Sequence, residues 1–235
     1  MAEGGTLPRS VLADEVKDRL LQDILSGRYP PHSRIVETTV ARELGISQAP
    51  VREALRGLAA TGVVEILPFR GARVRRPTTD ELLEAITIRA ELEALGARLA
   101  VPLLTDLELD ELMAQGEELR RAAETGDPHA LAIADAKFHG LIIQHSGNAT
   151  LIRLWRSLEP FSRTYITAAI PGVDVQWTAA LHWPILDALR NRDTGAVVHA
   201  LRQHFDRAGS KINAGWSDEE PDSSTDAEPQ APLQA

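Results

Sequence analysis

The chain has 235 residues, a formal net charge of −9 and no cysteine. That length accommodates two domains with separate cores, and the missing thiols exclude disulfides and thiolate metal sites while fitting a reducing compartment. No apolar run reaches membrane-spanning length and the N-terminus lacks a signal peptide's basic-then-apolar order, so a cytoplasmic protein without membrane contact is expected. The acidic total hides a division. Residues 1–76 hold 12 Lys and Arg against 9 Asp and Glu, giving +3, whereas the remainder holds 13 against 25, giving −12. Such asymmetry suits one polyanion-facing module attached to a domain with another task.

Residues 1–10 are expected to be disordered. A helix is predicted over about 11–26, with Val16, Leu20 and Ile24 on one face and Gly27 ending it, and Tyr29-Pro30-Pro31-His32 reads as a turn. A helix through Thr38–Leu44 stops at Gly45, which supplies the left-handed residue a helix end favours. The next helix opens at Ser47, a candidate cap, and Pro50 falls in its first turn, where a missing N–H costs nothing. Val51, Leu55 and Leu58 follow an i, i+4, i+7 spacing, so they face inward and leave Gln48, Ala49, Arg52 and Arg56 outside. Two β runs, Val63–Ile66 and Ala72–Arg75, flank the turn Pro68-Phe69-Arg70-Gly71. Helix, tight turn, exposed helix start and basic hairpin make residues 11–76 a winged helix-turn-helix. Its expected contacts to double-stranded DNA are Thr38, Gln48, Ala49, Arg52, Arg56, Arg70 and Gly71; a lone surface arginine is otherwise a solvated charge.

Pro77 breaks the chain, and Thr78-Thr79-Asp80-Glu81 is a capping box that opens a long helix to about Val101. The pattern then stays helical to about residue 214, punctuated at Pro102, Thr105, Asp127-Pro128, Gly147-Asn148, Pro171-Gly172 and Asp193-Thr194-Gly195. Six helices in an all-α bundle are predicted for residues 77–216. The fold is therefore mainly α. Residues 217–235, acidic and proline-rich, are expected to be a disordered tail.

Several polar residues fall on apolar helix faces. Asp135 and His139 lie four apart, within a stripe of Leu131, Phe138 and Ile142, while Lys137 and Gln144 lie opposite. His182 shares a face with Ile185, Leu186 and Leu189, and His204 with Val197, Ala200, Leu201 and Ala208. Each of these two histidines stands eleven residues from the turn at 193, about 16 Å at 1.5 Å per residue, so antiparallel neighbours bring them level. His199 falls on the polar side with Arg202 and Asp206 and serves as a control. Three imidazoles and a carboxylate facing inward make a set for a borderline-to-hard divalent ion; the bland alternative is separately hydrogen-bonded core histidines. Arg89 sits among Leu82, Ala85, Ile86, Leu92 and Gly96 and must be paired. Its partner is either Glu93 at i+4 or the carboxylate of a bound ligand, which a guanidinium fork matches.

These residues carry a family resemblance. Val16 to Val74 resembles the GntR-type winged helix, most closely through Ala49-Pro50-Val51-Arg52-Glu53-Ala54-Leu55 and Gly71-Ala72-Arg73-Val74. Thr79 to about Asn213 resembles the all-helical FCD effector domain of the FadR-type subgroup, through Arg89…Glu93, Asp135-Ala-Lys-Phe-His139, Gly147-Asn148 and His182…His204. The resemblance implies a homodimeric bacterial repressor or activator. It also implies a divalent metal on Asp135, His139, His182 and His204, and a small organic acid completing its shell with help from Arg89. Zinc is the first expectation, with nickel or manganese also permitted by the ligand types. The chain departs from the family at Gln48, where arginine is frequent, at His32, where glycine is usual, and at Pro184, two residues after His182. Pro184 either kinks that helix or marks a late start.

The function expected is DNA-binding transcription regulation controlled by an organic acid at the metal. A metalloenzyme and a metal-sensing regulator are the alternatives. The first lacks a clear inward base beyond Glu93, and a hydrolase has no use for a fused winged helix. Trp155, Phe161, Arg163, Tyr165 and Trp177 are candidates to line the effector pocket.

Overall fold

A computed structural model describes residues 9–68, 70–158 and 174–216. The N-terminal unit holds helices α1 (Arg9–Leu25), α2 (Glu37–Leu44) and α3 (Gln48–Ala60) and strands β1 (Arg34–Ile35), β2 (Val64–Leu67) and β3 (Gly71–Val74). Helix α1 begins two residues before the expected start. Val16, Leu20, Val40, Val51, Leu55 and Leu58 close with Ile35, Val64, Ala72 and Val74 into one core, so the i, i+4, i+7 stripe of α3 does face inward. The strands form an antiparallel sheet in the order β1-β3-β2, with Val64 opposite Val74 and Leu67 opposite Gly71. The wing strands lie one residue from the predicted runs. The two-residue β1, pairing Arg34 with Arg73, was not predicted, because two residues carry no period.

Gly45 ends α2 at φ 66°, as expected. Ser47 occupies the cap position of α3, but its side chain accepts no capping hydrogen bond, which corrects that expectation. His32 takes φ 68°, a left-handed conformation that explains the glycine usual in relatives. Gly71 is under a tighter constraint. Its φ is 86°, and a Cβ there would lie 2.2 Å from the carbonyl oxygen of Ile35.

The second unit comprises α4 (Thr79–Ala100), α5 (Asp106–Thr125), α6 (Pro128–His145), α7 (Ala149–Ser157), α8 (Val175–Ala180), α9 (Trp183–Arg190) and α10 (Thr194–Gly215), with a 3-10 turn at Val101–Leu103. Both halves of the Thr78–Glu81 capping box are present, and Thr105–Glu108 forms a second at the start of α5. Asp127, Asn148, Asp174 and Asp193 cap α6, α7, α8 and α10 through their side chains. Seven α-helices among the described residues exceed the six predicted, because Pro184 starts α9 afresh and makes His182 its cap residue. Leu119, Leu131, Phe138, Ile142, Ile185, Leu189, Val197 and Leu201 build the core of this bundle. Gly96 brings α4 close to α6: a Cβ there would meet Ile143 Cδ1 at 2.8 Å.

Between the units, Arg75 bonds Glu81 at 2.6 Å, the Trp216 indole N–H donates to Pro77 O at 3.1 Å, and the Arg76 guanidinium lies 4.6 Å from the Trp216 ring. The proposed pocket residues Phe161, Arg163 and Tyr165, the Pro171-Gly172 break, residues 1–8 of the N-terminal tail and the C-terminal tail lie outside the described residues, while residues 9 and 10, expected to be disordered, belong to α1.

Gly71→Ala is expected to lower stability by more than the roughly 1–2 kcal/mol of a left-handed non-glycine residue, because the carbonyl contact is added. Gly45→Ala, at φ 66° with nothing within 4 Å, is expected to lose only the conformational part. Urea unfolding of both variants compares them within one domain, and equal losses would show that the Ile35 carbonyl does not matter.

Candidate DNA interface and buried metal centre

The outward face of α3, the start of α2 and the wing enclose one groove of about 630 Å³. Thr38, Gln48, Arg52, Arg56, Arg70 and Gly71 line it, so six of the seven sequence-predicted contacts converge on one surface. Ala49 is half-buried at the start of α3 and does not line the groove. Six further residues do, and two of them, Arg34 and Glu37, fix arginines of the groove. Arg34 Nε donates to Arg70 O at 2.6 Å and ties β1 to the wing turn. Glu37 Oε2 accepts from Arg52 Nε at 3.0 Å, with Nη2 of the same guanidinium at 2.9 Å, which holds this arginine against α2. Neither contact has a local sequence signal, since each depends on how separate elements pack.

In the helical unit, Asp135 and His139 occupy successive turns of α6, His182 caps α9 and His204 lies mid-way along α10. All four are buried, their candidate ligand atoms fall within 4.8 Å of one another, and no other such group occurs among the described residues. The rings of His182 and His204 are 4.5 Å apart between centroids, so the predicted level pairing is present. His199 is exposed, as predicted.

The hydrogen bonds decide which imidazole atoms face the centre. His139 Nδ1 bonds Glu93 Oε2, and His182 Nδ1 lies 3.1 Å from the carbonyl of Ala179. Both oxygens accept, so a proton sits on each Nδ1, and in the neutral ring Nε2 is then the lone-pair nitrogen. These two Nε2 atoms are 3.1 Å apart, and Asp135 Oδ1 lies 3.0 Å from that of His182 and 3.7 Å from that of His139. In that neutral tautomer three electron-pair donors converge, an arrangement that suits a bound cation. The separations approach those between ligands sharing one ion at bonds of about 2.0–2.2 Å. His204 Nδ1 is buried with no hydrogen-bond partner. Nitrogens in excess over carboxylate, with outer nitrogens anchored, fit a borderline divalent ion.

Burial opposes ionisation of Asp135, but His139, His182 and the Arg89 guanidinium outweigh it and hold the carboxyl well below its usual range. Burial, with His182 and His139 beside it, pushes the His204 imidazole well down and keeps it neutral. Glu93 is also buried, and the same competition, won by His139 and Arg89, keeps it ionised. Arg89 Nε donates to Glu93 Oε1 at 2.8 Å and Nη2 lies 3.5 Å from Asp135 Oδ2, so the i+4 partner is present and Arg89 also reaches the centre. Trp155 Nε1 donates to the same Glu93 oxygen at 2.8 Å. Trp177 is half-buried under Lys211, whose Nζ lies 5.2 Å from its ring. The contact of Glu93 with His139 was not predicted; it joins helices 46 residues apart.

A winged helix with a basic groove, joined to a helical domain with a buried polar centre, defines a DNA-binding regulator with a sensory domain. Family models agree. Residues 12–74 match bacterial regulatory proteins of the gntR family, and residues 84–207 match the FCD domain. The chain belongs to the GntR family of bacterial transcription regulators, in its FCD-containing branch. It is 35% identical over 84% of its length to 87% of a protein from Paenarthrobacter nicotinovorans named a probable D-xylose utilization operon transcriptional repressor. It is 28% identical over 85% of its length to 91% of the HTH-type transcriptional regulator McbR of Escherichia coli (strain K12). The solved E. coli McbR/YncC superimposes with a TM-score of 0.73 at 26% identity, covering 86% of this chain and 97% of that one. A putative GntR regulator from Rhodococcus sp. RHA1 shares the fold, with a TM-score of 0.74 at 22% identity, covering 87% and 99%. Among the described residues no helix is long and apolar enough to cross a membrane.

The depressed His204 gives a pH dependence. The unfolded chain takes up a proton that the folded, metal-free chain refuses, so this stability is complete above about pH 6.5 and declines as pH falls below it. In chelator-treated protein the thermal midpoint is expected to fall from pH 7 to pH 5, with a shallower slope in His204→Gln. A midpoint that rises over that interval would contradict a neutral buried imidazole.

Proposed function

We propose that this protein is a transcription repressor whose operator affinity is set by a small organic acid bound beside a divalent ion in the helical domain. The observation that carries this reading is the convergence of three buried imidazoles on Asp135, with Arg89 at its edge, in a chain that also has a groove lined by the winged-helix arginines. The sign of regulation is supported by the naming of relatives as repressors. Asp135, His139, His182 and His204 hold the ion, which supplies a positive charge and open positions for an oxygen ligand. Zinc leads among candidates, followed by nickel and manganese.

Charge counting supports an acid as effector. Ionised Asp135 and Glu93 against Arg89 leave the buried cluster at −1, and a divalent ion brings it to +1. One carboxylate on the ion and Arg89 restores neutrality, and uncompensated buried charge costs several kcal/mol. Paired half-sites favour a homodimer, since one small winged helix binds with modest affinity. Exposed Leu95, Leu99, Leu103 and Leu107 supply apolar surface on the helical domain for a second copy.

Two measurements test these assignments. Metal content is expected to be lost in untagged His182→Ala and His204→Ala and kept in His199→Ala; retention in the first two sinks the ligand set. In a thermal-shift panel of organic acids, stabilisation should require metal, and the active acid should change operator affinity by about 5–150-fold, a coupling of 1–3 kcal/mol.

For DNA, Arg52→Ala is expected to cost about 1–3 kcal/mol of operator binding, and Arg70→Ala to weaken binding and reduce the salt slope. Wild-type affinity and salt slope in both variants would remove the groove from the account.

A further inference from the structure

Glu93 is a buried side chain, with three partners, that the ligand set does not use. It is fully buried on α4, with one oxygen on His139 Nδ1 and the other shared by Arg89 Nε and Trp155 Nε1 at 2.8 Å each. Each contact reaches a different part of the centre: an imidazole of the metal set, the arginine at its edge, and helix α7 through its tryptophan. Gly96, one turn along α4, permits the approach to α6 that makes the first contact.

A carboxylate placed on the outer nitrogen of an imidazole does two things. It fixes the proton on Nδ1, which leaves Nε2 free for a metal, and it raises the basicity of that nitrogen. His182 receives the weaker version of this support, from a backbone carbonyl. His139 is therefore the ligand whose orientation and donor strength depend on a charged partner. The same partner also sets where Arg89 and Trp155 stand, because all three donors converge on two oxygens.

We infer that Glu93 is a positioning residue for the metal centre: it holds His139 with Nε2 inward and couples metal occupancy to Arg89 and to Trp155 on α7. This inference rests on the metal reading above. Glu93 itself stays outside the ligand set. Trp155 then becomes an internal reporter, since a change at His139 redistributes the hydrogen bonds on the carboxylate that its indole N–H touches.

The test uses the full chain and zinc alone. Zinc affinity is measured by competition with a chromophoric chelator in wild type, Glu93→Gln and His199→Ala, alongside tryptophan emission and the unfolding midpoint of metal-free protein. Glu93→Gln is expected to bind zinc about 10–100-fold more weakly, the range for lost partners of metal-bound histidines. His199→Ala is expected to match wild type. The zinc-dependent emission change should be present in wild type, absent in Trp155→Phe, and lost in Glu93→Gln even at saturating zinc. Should Glu93→Gln not fold, Glu93→Asp carries the same expectation, since it keeps the charge but withdraws the oxygens by one methylene. Wild-type zinc affinity in a folded Glu93 variant, with only the unfolding midpoint lowered, overturns the inference and leaves Glu93 a structural residue. If wild type itself binds no zinc, the metal reading fails first and takes this role of Glu93 with it, an outcome separate from the last.

Discussion

Two imidazole Nε2 atoms and a carboxylate oxygen face one another across 3.0–3.7 Å in the core of the helical domain, while each ring's Nδ1 is engaged on its far side. That convergence costs free energy unless a cation sits in it. The protein enforces it from outside: Glu93 and the Ala179 carbonyl occupy the outer nitrogens, so neither ring can turn its proton inward without losing a buried hydrogen bond. A core meant only for stability would fill this volume with Leu or Phe. Four helices instead spend polar side chains on it.

Two of the four helices around the centre also reach the linker to the winged domain. Helix α4 carries Arg89 and Glu93 and opens at the linker, where Glu81 of its capping box bonds Arg75. Helix α10 carries His204 and runs twelve residues further, about 18 Å, to Trp216 against Pro77 and Arg76. Under the proposed function, a shift of α4 against α10 at the centre would reach the winged unit through these linker contacts. At their linker ends the two helices pack together through Leu82, Ile86, Ile212 and Trp216.

Much of this was legible from local pattern. The α3 stripe, the Thr78 capping box and the left-handed Gly45 each have a short-range cause, and the structure reproduces them. The level pairing of His182 and His204 followed from helix rise alone. What escaped has no local cause. Strand β1 exists because Ile35 meets Ala72, and Ser47 marks its helix start without bonding to it. Pro184 signalled a break, but only the structure shows that the break turns His182 into a cap residue. Glu93 looked like the simple partner of Arg89, since i, i+4 proximity is visible in sequence whereas α4–α6 packing is not. Arg52 likewise reads as a free surface charge until α2 brings Glu37 beside it.

The protonation pattern of the centre is the most direct point of attack. Long-range nitrogen–proton correlation spectra of the histidine rings, recorded on zinc-loaded protein, report which ring nitrogen carries the proton. The account predicts that His139 and His182 both appear as Nδ1–H rings whose Nε2 resonances move on metal addition. A ring in either position that keeps its proton on Nε2 at saturating zinc would contradict it.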